Sequence, residues 1–572
     1  MSLSVLALAL ALAVPLDRLV LPLLPTLLPV LAQLPHLARL TLHTLTLYSL
    51  LALALDSYNR PANPNGYRIL RYHDLPGPWP TSLVWGLEKA LYDDAPPGKL
   101  LDAWSAKYGG AYRFRGVLGA KNITLTLPSA LHHVLTTSVY TYPKPLGGRL
   151  WLGTLLGEGV LVSEGEKHAG QRKRMARAFT PQALRGMHEV FEQCTGKVVD
   201  AWEALLTPTA AGKAATPAQD DAAGGKALSI DVQYWANRLS LDAIGLAGFG
   251  YPFGSLDSAV DGSEQHPLAT TFDKLTDSSG TYAAFVLRAV LFVWPGVLKM
   301  PSKRTKSIGE VRKKLGAEVK RVRQESGSLA GRTVIGILEQ QAAEEGSGID
   351  DDEIEAQIMT LVFAGYETTS CAISWALYEL ALHPASQAAL RDELRASASA
   401  SQPGSGPQPH PPLLDAVIRE TLRLHPPVLD LHREAETDDL VPLGDGRALW
   451  VDKGTVVYIP LNVLGNEGHP GPWNPEQWLK PAASAISGST GSAGSGGSST
   501  STVWAFSDGP RVCIGRAFAM SEIRTVLSAL VSGFEFAPDP ALEVEPFVSF
   551  VVRPKVRGDR RSTLPLLVRK AA

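Results

Sequence analysis

Hydrophobic and polar positions divide the chain into an N-terminal stretch unlike the rest and a long body of mixed periods. Met1 to Leu55 is rich in Leu and Ala and carries only Asp17, Arg18 and Arg39 as charged residues. Asp17-Arg18 splits it, and Pro22, Pro25, Pro29 and Pro35 break any helix that follows the split. A cleaner apolar run spans Leu40 to Leu55. A bilayer core takes roughly 20 apolar residues as helix, so the pattern predicts an anchor of one or two spans over 1–56. A cleaved signal peptide fits less well, because no basic residue precedes the first apolar run. Arg60, Arg68 and Arg71 follow it, which by the positive-inside rule places the downstream chain in the cytosol. The Pro-rich segment around Asp74 to Pro80 predicts a stiff hinge over 57–80.

From 81 to 572 the pattern reads as one mainly helical body with a small β portion. Its clearest helix opens on Asp350-Asp351-Asp352-Glu353, an acidic first turn suited to a helix N-terminus, and ends at His383 before Pro384. At 1.5 Å per residue it spans ~50 Å. Its middle is apolar nearly all round, which predicts burial. Short strands are predicted at Tyr112 to Phe114, Ile123 to Leu127 and Val456 to Ile459. Three low-complexity stretches, 207–225, 396–412 and 482–501, cannot bury a core and read as flexible insertions into one domain.

Charge and cysteines narrow the classes. A formal net charge of −2 gives no basic surplus for nucleic acid. The 3 cysteines, Cys194, Cys371 and Cys513, are too far apart for a disulfide framework or a Cys-rich zinc site, which suits a reducing compartment.

One of the three stands apart. Around Cys513 runs Phe506-Ser507-Asp508-Gly509-Pro510-Arg511-Val512-Cys513-Ile514-Gly515-Arg516. An arbitrary cysteine is a small buried hydrophobe. Here Gly509-Pro510 makes a tight turn, Gly515 allows close backbone approach, and a helix pattern begins at Arg516. A thiolate at a helix N-terminus beside Arg511 is stabilised as the anion, which a metal ligand requires. The pattern of Phe506, Gly509, Arg511, Cys513 and Gly515 resembles the haem-binding loop of the cytochrome P-450 superfamily. By that resemblance Cys513 is the axial iron ligand.

Other segments resemble the same family in the same order. Glu420 and Arg423, followed by Leu424-His425-Pro426-Pro427, resemble its ExxR helix, where the pair is buried and structural. Pro475-Glu476-Gln477-Trp478 resembles a later structural element, with Glu476 in the matching place but Gln477 where an arginine is usual. Gln477 can still bond Glu420, without charge assistance. Ala364-Gly365-Tyr366-Glu367-Thr368-Thr369 lies in the long helix. Ala364 and Gly365 leave space for a small ligand, and Glu367 with Thr368 supplies an acid and a hydroxyl for proton relay; the resemblance makes this the oxygen-activation segment. His168 and Arg172, four apart, resemble a propionate-binding helix in which His168 replaces the commoner Trp. Arg433 matches another propionate position, and Arg511 faces an acidic group of the cofactor. Leu239 to Tyr251 resembles a packing helix of eukaryotic, especially fungal, members.

The resemblance covers about Pro76 to the C-terminus outside the insertions. It implies the P-450 fold, haem b (iron protoporphyrin) and dioxygen as cofactors, and insertion of one oxygen atom into a lipophilic small molecule. The chain carries no flavin or nicotinamide domain, so the resemblance implies electrons from NADPH through a separate flavoprotein reductase at the endoplasmic reticulum membrane. Lys173, Arg174 or Arg516 are candidates to dock it. Two other haem-thiolate readings exist, a peroxide isomerase or dehydratase and a non-catalytic haem sensor. The intact Glu367-Thr368 pair argues against both.

Overall fold

In chain order, the helices that position the site are α1 (Leu146–Leu156), α2 (Gly165–Ala176), α3 (Pro181–Leu206), α4 (Val232–Phe249), α5 (Asp351–Leu382), α6 (Pro384–Ala400), α7 (Pro412–Leu424) and α8 (Arg516–Gly533). The strands that frame it include β1 (Ala111–Arg115), β2 (Lys121–Leu125), β3 (Lys226–Asp231), β4 (Asp430–Glu434), β5 (Val456–Pro460), β6 (Phe534–Pro538), β7 (Val544–Val548), β8 (Val552–Val556) and β9 (Pro565–Lys570). This computed structural model describes residues 65–571 apart from 208–218, 221–225, 345, 347–348, 401–409, 468 and 480–502, and within 268–332 it describes mainly 282–294. Contacts gather Arg68–Ala572 into one unit. The expected anchor at 1–56 lies outside the described residues. Among the described residues no helix is long and apolar enough to cross a membrane.

Local chemistry explains the element boundaries. The Asp350 side chain accepts from the Asp352 N–H at 3.3 Å and three acidic residues fill the first turn of α5, while Pro384 prevents its continuation. Thr180 caps α3 ahead of Pro181, and Asp231 caps α4, which ends on Gly250 at φ +73°. The three expected strands are present as β1, β2 and β5. They form a mixed sheet in the order β1-β2-β5-β4, parallel only between β2 and β5. A second sheet joins β6, β9 and β3, and β7 and β8 form a separate hairpin.

Most of the apolar core is helical. Leu239, Ile244, Ile358, Val362, Ile373, Leu377, Val526 and Leu530 join one cluster contributed by α4, α5 and α8. Burying such side chains contributes about 1.5–3 kcal/mol each. Gly365 serves this packing. A Cβ there would come within 3.0 Å of Ile244, so its missing side chain lets α4 approach.

Two boundaries differ from expectation. Leu75 is buried, the Arg113 N–H donates to the Pro76 carbonyl at 2.9 Å, and a Cβ on Gly77 would strike the Arg113 carbonyl. The end of the supposed hinge is therefore docked on β1, because a proline-fixed backbone can offer carbonyls to a strand edge. The stretch expected as an insertion from 396 is helical to Ala400, where α6 ends. The stretch 207–225 contains Gln219–Asp220, a short strand paired with β3.

One buried acid ties α4 to α8. Ser240 Oγ donates to Glu522 Oε1 at 2.6 Å, and burial pushes the Glu522 carboxyl up to about 8. A carboxyl raised in the folded state contributes stability that is complete below its ordinary value of 4.5 and is lost as pH rises through about 8. The unfolding midpoint should fall across that window and Glu522→Gln should flatten the slope. Thermal melts of both proteins from pH 4 to 9 check this.

Candidate active site

The Cys513 loop is built by backbone constraint. Ser507 and Gly509 adopt left-handed conformations, φ +62° and +71°. A Cβ on Gly509 would lie 2.2 Å from the Leu135 carbonyl, so only glycine fits. The Cys513 N–H donates to the Phe506 carbonyl at 2.8 Å, closing the loop, and Gly515 caps α8. Phe506 and Ile514 pack on the same core as Leu361 and Phe363 of α5.

Cys513 is exposed, yet burial by surrounding groups pushes its thiol above the ordinary value. The Gly515 N–H, Arg172 and Arg516 oppose that rise without overcoming it. The expectation of an anion stabilised by Arg511 is therefore corrected: desolvation wins in the protein alone, and Arg511 is turned elsewhere. A cation at the sulfur would reverse that balance, since a coordinated thiol is deprotonated outright.

Arg511 belongs to a buried cation cluster. Its guanidinium pairs with Glu164, which also accepts from the Lys144 ammonium at 2.8 Å and from the Lys144 N–H at 3.0 Å. Arg433, on β4, is buried beside them, with its Nε lacking a partner as does that of Arg511. Burial first, then Arg511, depresses Arg433 to about 10. His168 lies within the same field, bonded to Tyr140 Oη at 3.0 Å, and burial with Arg511 and Lys144 pushes it down to about 4. Lys144 falls to about 8, mainly by burial. Two guanidiniums and a half-buried ammonium thus face one carboxylate. Such a surplus is costly unless an anion completes it, and a group bearing two carboxylates fits. The charge of Arg172, on α2, acts on both His168 and Cys513.

The carboxylate lock behind the loop is complete. Glu420 is fully buried and accepts from Arg423 Nε and Nη2 at 2.9 and 2.8 Å, the Asn474 N–H at 2.7 Å, Gln477 Nε2 at 2.7 Å and Trp478 Nε1 at 2.9 Å. Burial alone would raise Glu420, but the Arg423 and Trp478 bonds outweigh it and hold the carboxyl below its ordinary value. Gln477 does bond Glu420, and the Trp478 indole adds a donor that the sequence did not suggest. Glu476, expected to be structural, is exposed instead, because the turn at Pro475–Trp478 directs the two following side chains inward.

On α5, Thr368 is partly buried and its Oγ1 donates to the Ala364 carbonyl at 2.8 Å. Glu367 is buried and ion-paired with Arg553 on β8. The acid and the hydroxyl are adjacent in sequence but engage different partners. Arg553, Lys144, Glu164 and Tyr140 escaped the sequence reading. They are single residues on distant segments, and no local spacing marks them.

A cysteine loop closed on itself ahead of α8, a surplus of cations around Glu164 and a locked ExxR pair within a mainly helical body describe a haem-thiolate protein. Residues 76–559 match the family model for cytochrome P-450, and the chain belongs to that family. It is similar to cytochrome P-450 monooxygenase claQ of Ampulloclitocybe clavipes, with 32% identity over 524 residues, 87% of this chain and 93% of the relative. It is likewise 33% identical to claP of the same fungus over 531 residues, again 87% and 93%. A third relative, cytochrome P-450 monooxygenase 205 of Postia placenta, is 32% identical over 540 residues, 87% of this chain and 92% of its own length. The chain is a monooxygenase of fungal type, an oxidoreductase that uses haem iron and dioxygen.

Trp478→Phe removes one donor from a buried charge. We expect a loss of about 1.5–3 kcal/mol in unfolding free energy, measured by denaturant titration, with Gln477→Arg in the same background restoring much of it.

Proposed function

We propose that Cys513 is the axial ligand of haem b. Arg433 and Arg511, aided by Lys144 and His168, hold the cofactor carboxylates, and Arg172 sits beside the thiolate. When bound, the haem supplies the oxygen activation that no side chain can perform. Phe506, Gly509 and Gly515 shape the ligand loop, and Glu420 with Arg423 braces it. Glu367 and Thr368 handle protons. The observation that carries this reading is the surplus of cations, Arg433, Arg511 and Lys144, around the single carboxylate of Glu164.

The substrate in this reading is a lipophilic small molecule. The electrons come from NADPH through a separate flavoprotein reductase, which would meet exposed basic residues such as Lys173 and Arg516; Arg174 is engaged by Glu353. The chain would be held at the endoplasmic reticulum membrane by 1–56, with the body in the cytosol. Support comes from an exposed apolar patch near the start of the body. Leu83 and Leu118 are 88% and 60% exposed, and the Leu118 N–H donates to the Val84 carbonyl at 2.7 Å. Leu118 holds a left-handed conformation, φ 52°, unusual for a branched residue. Large apolar side chains grouped on a surface mark contact with lipid or protein.

Reconstitution with a fungal reductase tests the reading. NADPH-dependent oxygenation of lipophilic compounds should appear, and Cys513→Ser should abolish the red-shifted absorption of the reduced carbon monoxide complex. A variant that kept that absorption would remove Cys513 as ligand. Thr368→Ala should retain the absorption and lower the product formed per NADPH oxidised. An unchanged ratio would remove Thr368 from proton handling.

A further inference from the structure

Four residues spaced one turn apart on α5 form a single stripe: Phe363, Glu367, Cys371 and Trp375. All four meet residues 550–553 of the β7–β8 hairpin. Phe363 packs edge-to-face on Phe550, with ring centroids 5.1 Å apart. Glu367 is ion-paired with Arg553. Cys371 Sγ and Trp375 Nε1 both donate to the Val552 carbonyl, at 2.9 and 3.0 Å. The Val552 N–H donates in turn to the Pro427 carbonyl at 2.9 Å. Beyond the strand end, Phe550 stacks on Trp151 of α1 at 5.3 Å.

The hairpin is thereby registered on the helix to within one residue. Val552 is held from both sides, so Arg553, its neighbour, has a fixed starting point. Its side chain reaches Glu367 in a place where the two are only 4% and 2% exposed. Neighbouring positions of α5, Ala364 and Thr368, are partly buried and belong to a different face. The acid therefore lies on the hairpin side of the helix and the hydroxyl beside it.

An ion pair with a guanidinium favours the charged form of a carboxyl. Glu367 can donate a proton only after taking one up, and Arg553 opposes that uptake. We propose that Arg553 is a positioning residue for the oxygenation reaction: it fixes the Glu367 carboxyl on α5 and sets how readily that acid takes up and passes a proton. Each proton given up is replaced from water, so the pair ends a turnover as it began. The proposal rests on the reading of Glu367 as a proton-handling acid.

The test uses the full-length haem protein with a reductase and the variants Arg553→Met, Arg553→Lys, Glu367→Gln and the double Arg553→Met/Glu367→Gln. Unfolding midpoints come first. Arg553→Met leaves a buried charge unpaired and should melt lowest, and the double variant should recover much of that loss. Product per NADPH comes second. Arg553→Met should lower it on the order of 10-fold, less than the ~100-fold a 1 Å misplacement can cost, while Arg553→Lys retains most of it. In the Glu367→Gln background, Arg553→Met should change the ratio no further, a comparison that holds even where Arg553→Met alone does not fold. A further fall there means that Arg553 acts elsewhere and overturns the proposal. A wild-type ratio in Arg553→Met, with Glu367→Gln impaired, also overturns it and leaves the role of Glu367 standing. If Glu367→Gln itself keeps the wild-type ratio, the reading of Glu367 fails and the proposal fails with it.

Discussion

A carboxylate with no access to water, Glu420, holds the architecture around the cysteine in register. Removing such an ion from water costs several kcal/mol, and the cost is recovered only when its lone pairs are filled. Five donors from four residues fill them. Because those donors come from α7 and from the turn at Pro475–Trp478, the charge can be satisfied only when both segments are in place. α7 in turn packs on the Trp504–Phe506 turn, whose last carbonyl receives the Cys513 N–H. The position of the sulfur is thus set by a chain of contacts that begins at a buried acid. A neutral amide and an indole here do the work of a second guanidinium. Each contributes less charge, but together they supply equivalent bond directions.

The site proper carries the opposite imbalance. Arg433, Arg511 and Lys144 surround Glu164 alone, and burial depresses two of the three cations. His168 adds to the pattern, since it stays neutral well below its ordinary value. A protein that buries uncompensated positive charge is less stable for it, which is the signature of a site shaped for a partner of opposite charge. The thiol shows the same logic. Desolvation raises it until a cation arrives. Cofactor carboxylates and cofactor metal would relieve both strains at once.

How much of this was legible depended on whether the chemistry is local in sequence. The long helix, the three strands and the cysteine loop could be read because caps, periods and glycine turns act over a few residues. Asp350 and Pro384 bound α5 where the pattern placed its ends. The ExxR pair was legible for the same reason, being three residues apart. Arg553 was not, since it lies far along the chain from the carboxylate it serves and nothing in its own surroundings is unusual. The approach of α4 at Gly365 was not legible, because a helical glycine does not say which neighbour it admits. Glu476 misled because the 3-10 turn at Pro475–Trp478 puts Gln477 and Trp478 inside and leaves Glu476 exposed.

These points converge on α5. Its length is explained by caps and by burial on nearly every side, but its chemistry is divided between faces. One face, at Gly365, is stripped of a side chain so that α4 can approach. A second carries Thr368, whose hydroxyl is satisfied within the helix by the Ala364 carbonyl. A third is the stripe from Phe363 to Trp375, committed to the hairpin. A buried helix can bear an ionisable residue only where another element brings the counter-charge, and here that element is β8. Placing Glu367 next to Thr368 therefore required a hairpin late in the chain to be in register with the middle of α5. The two donors to the Val552 carbonyl make that register specific, because a one-residue slip would withdraw both bonds and turn Arg553 to the other face of its strand.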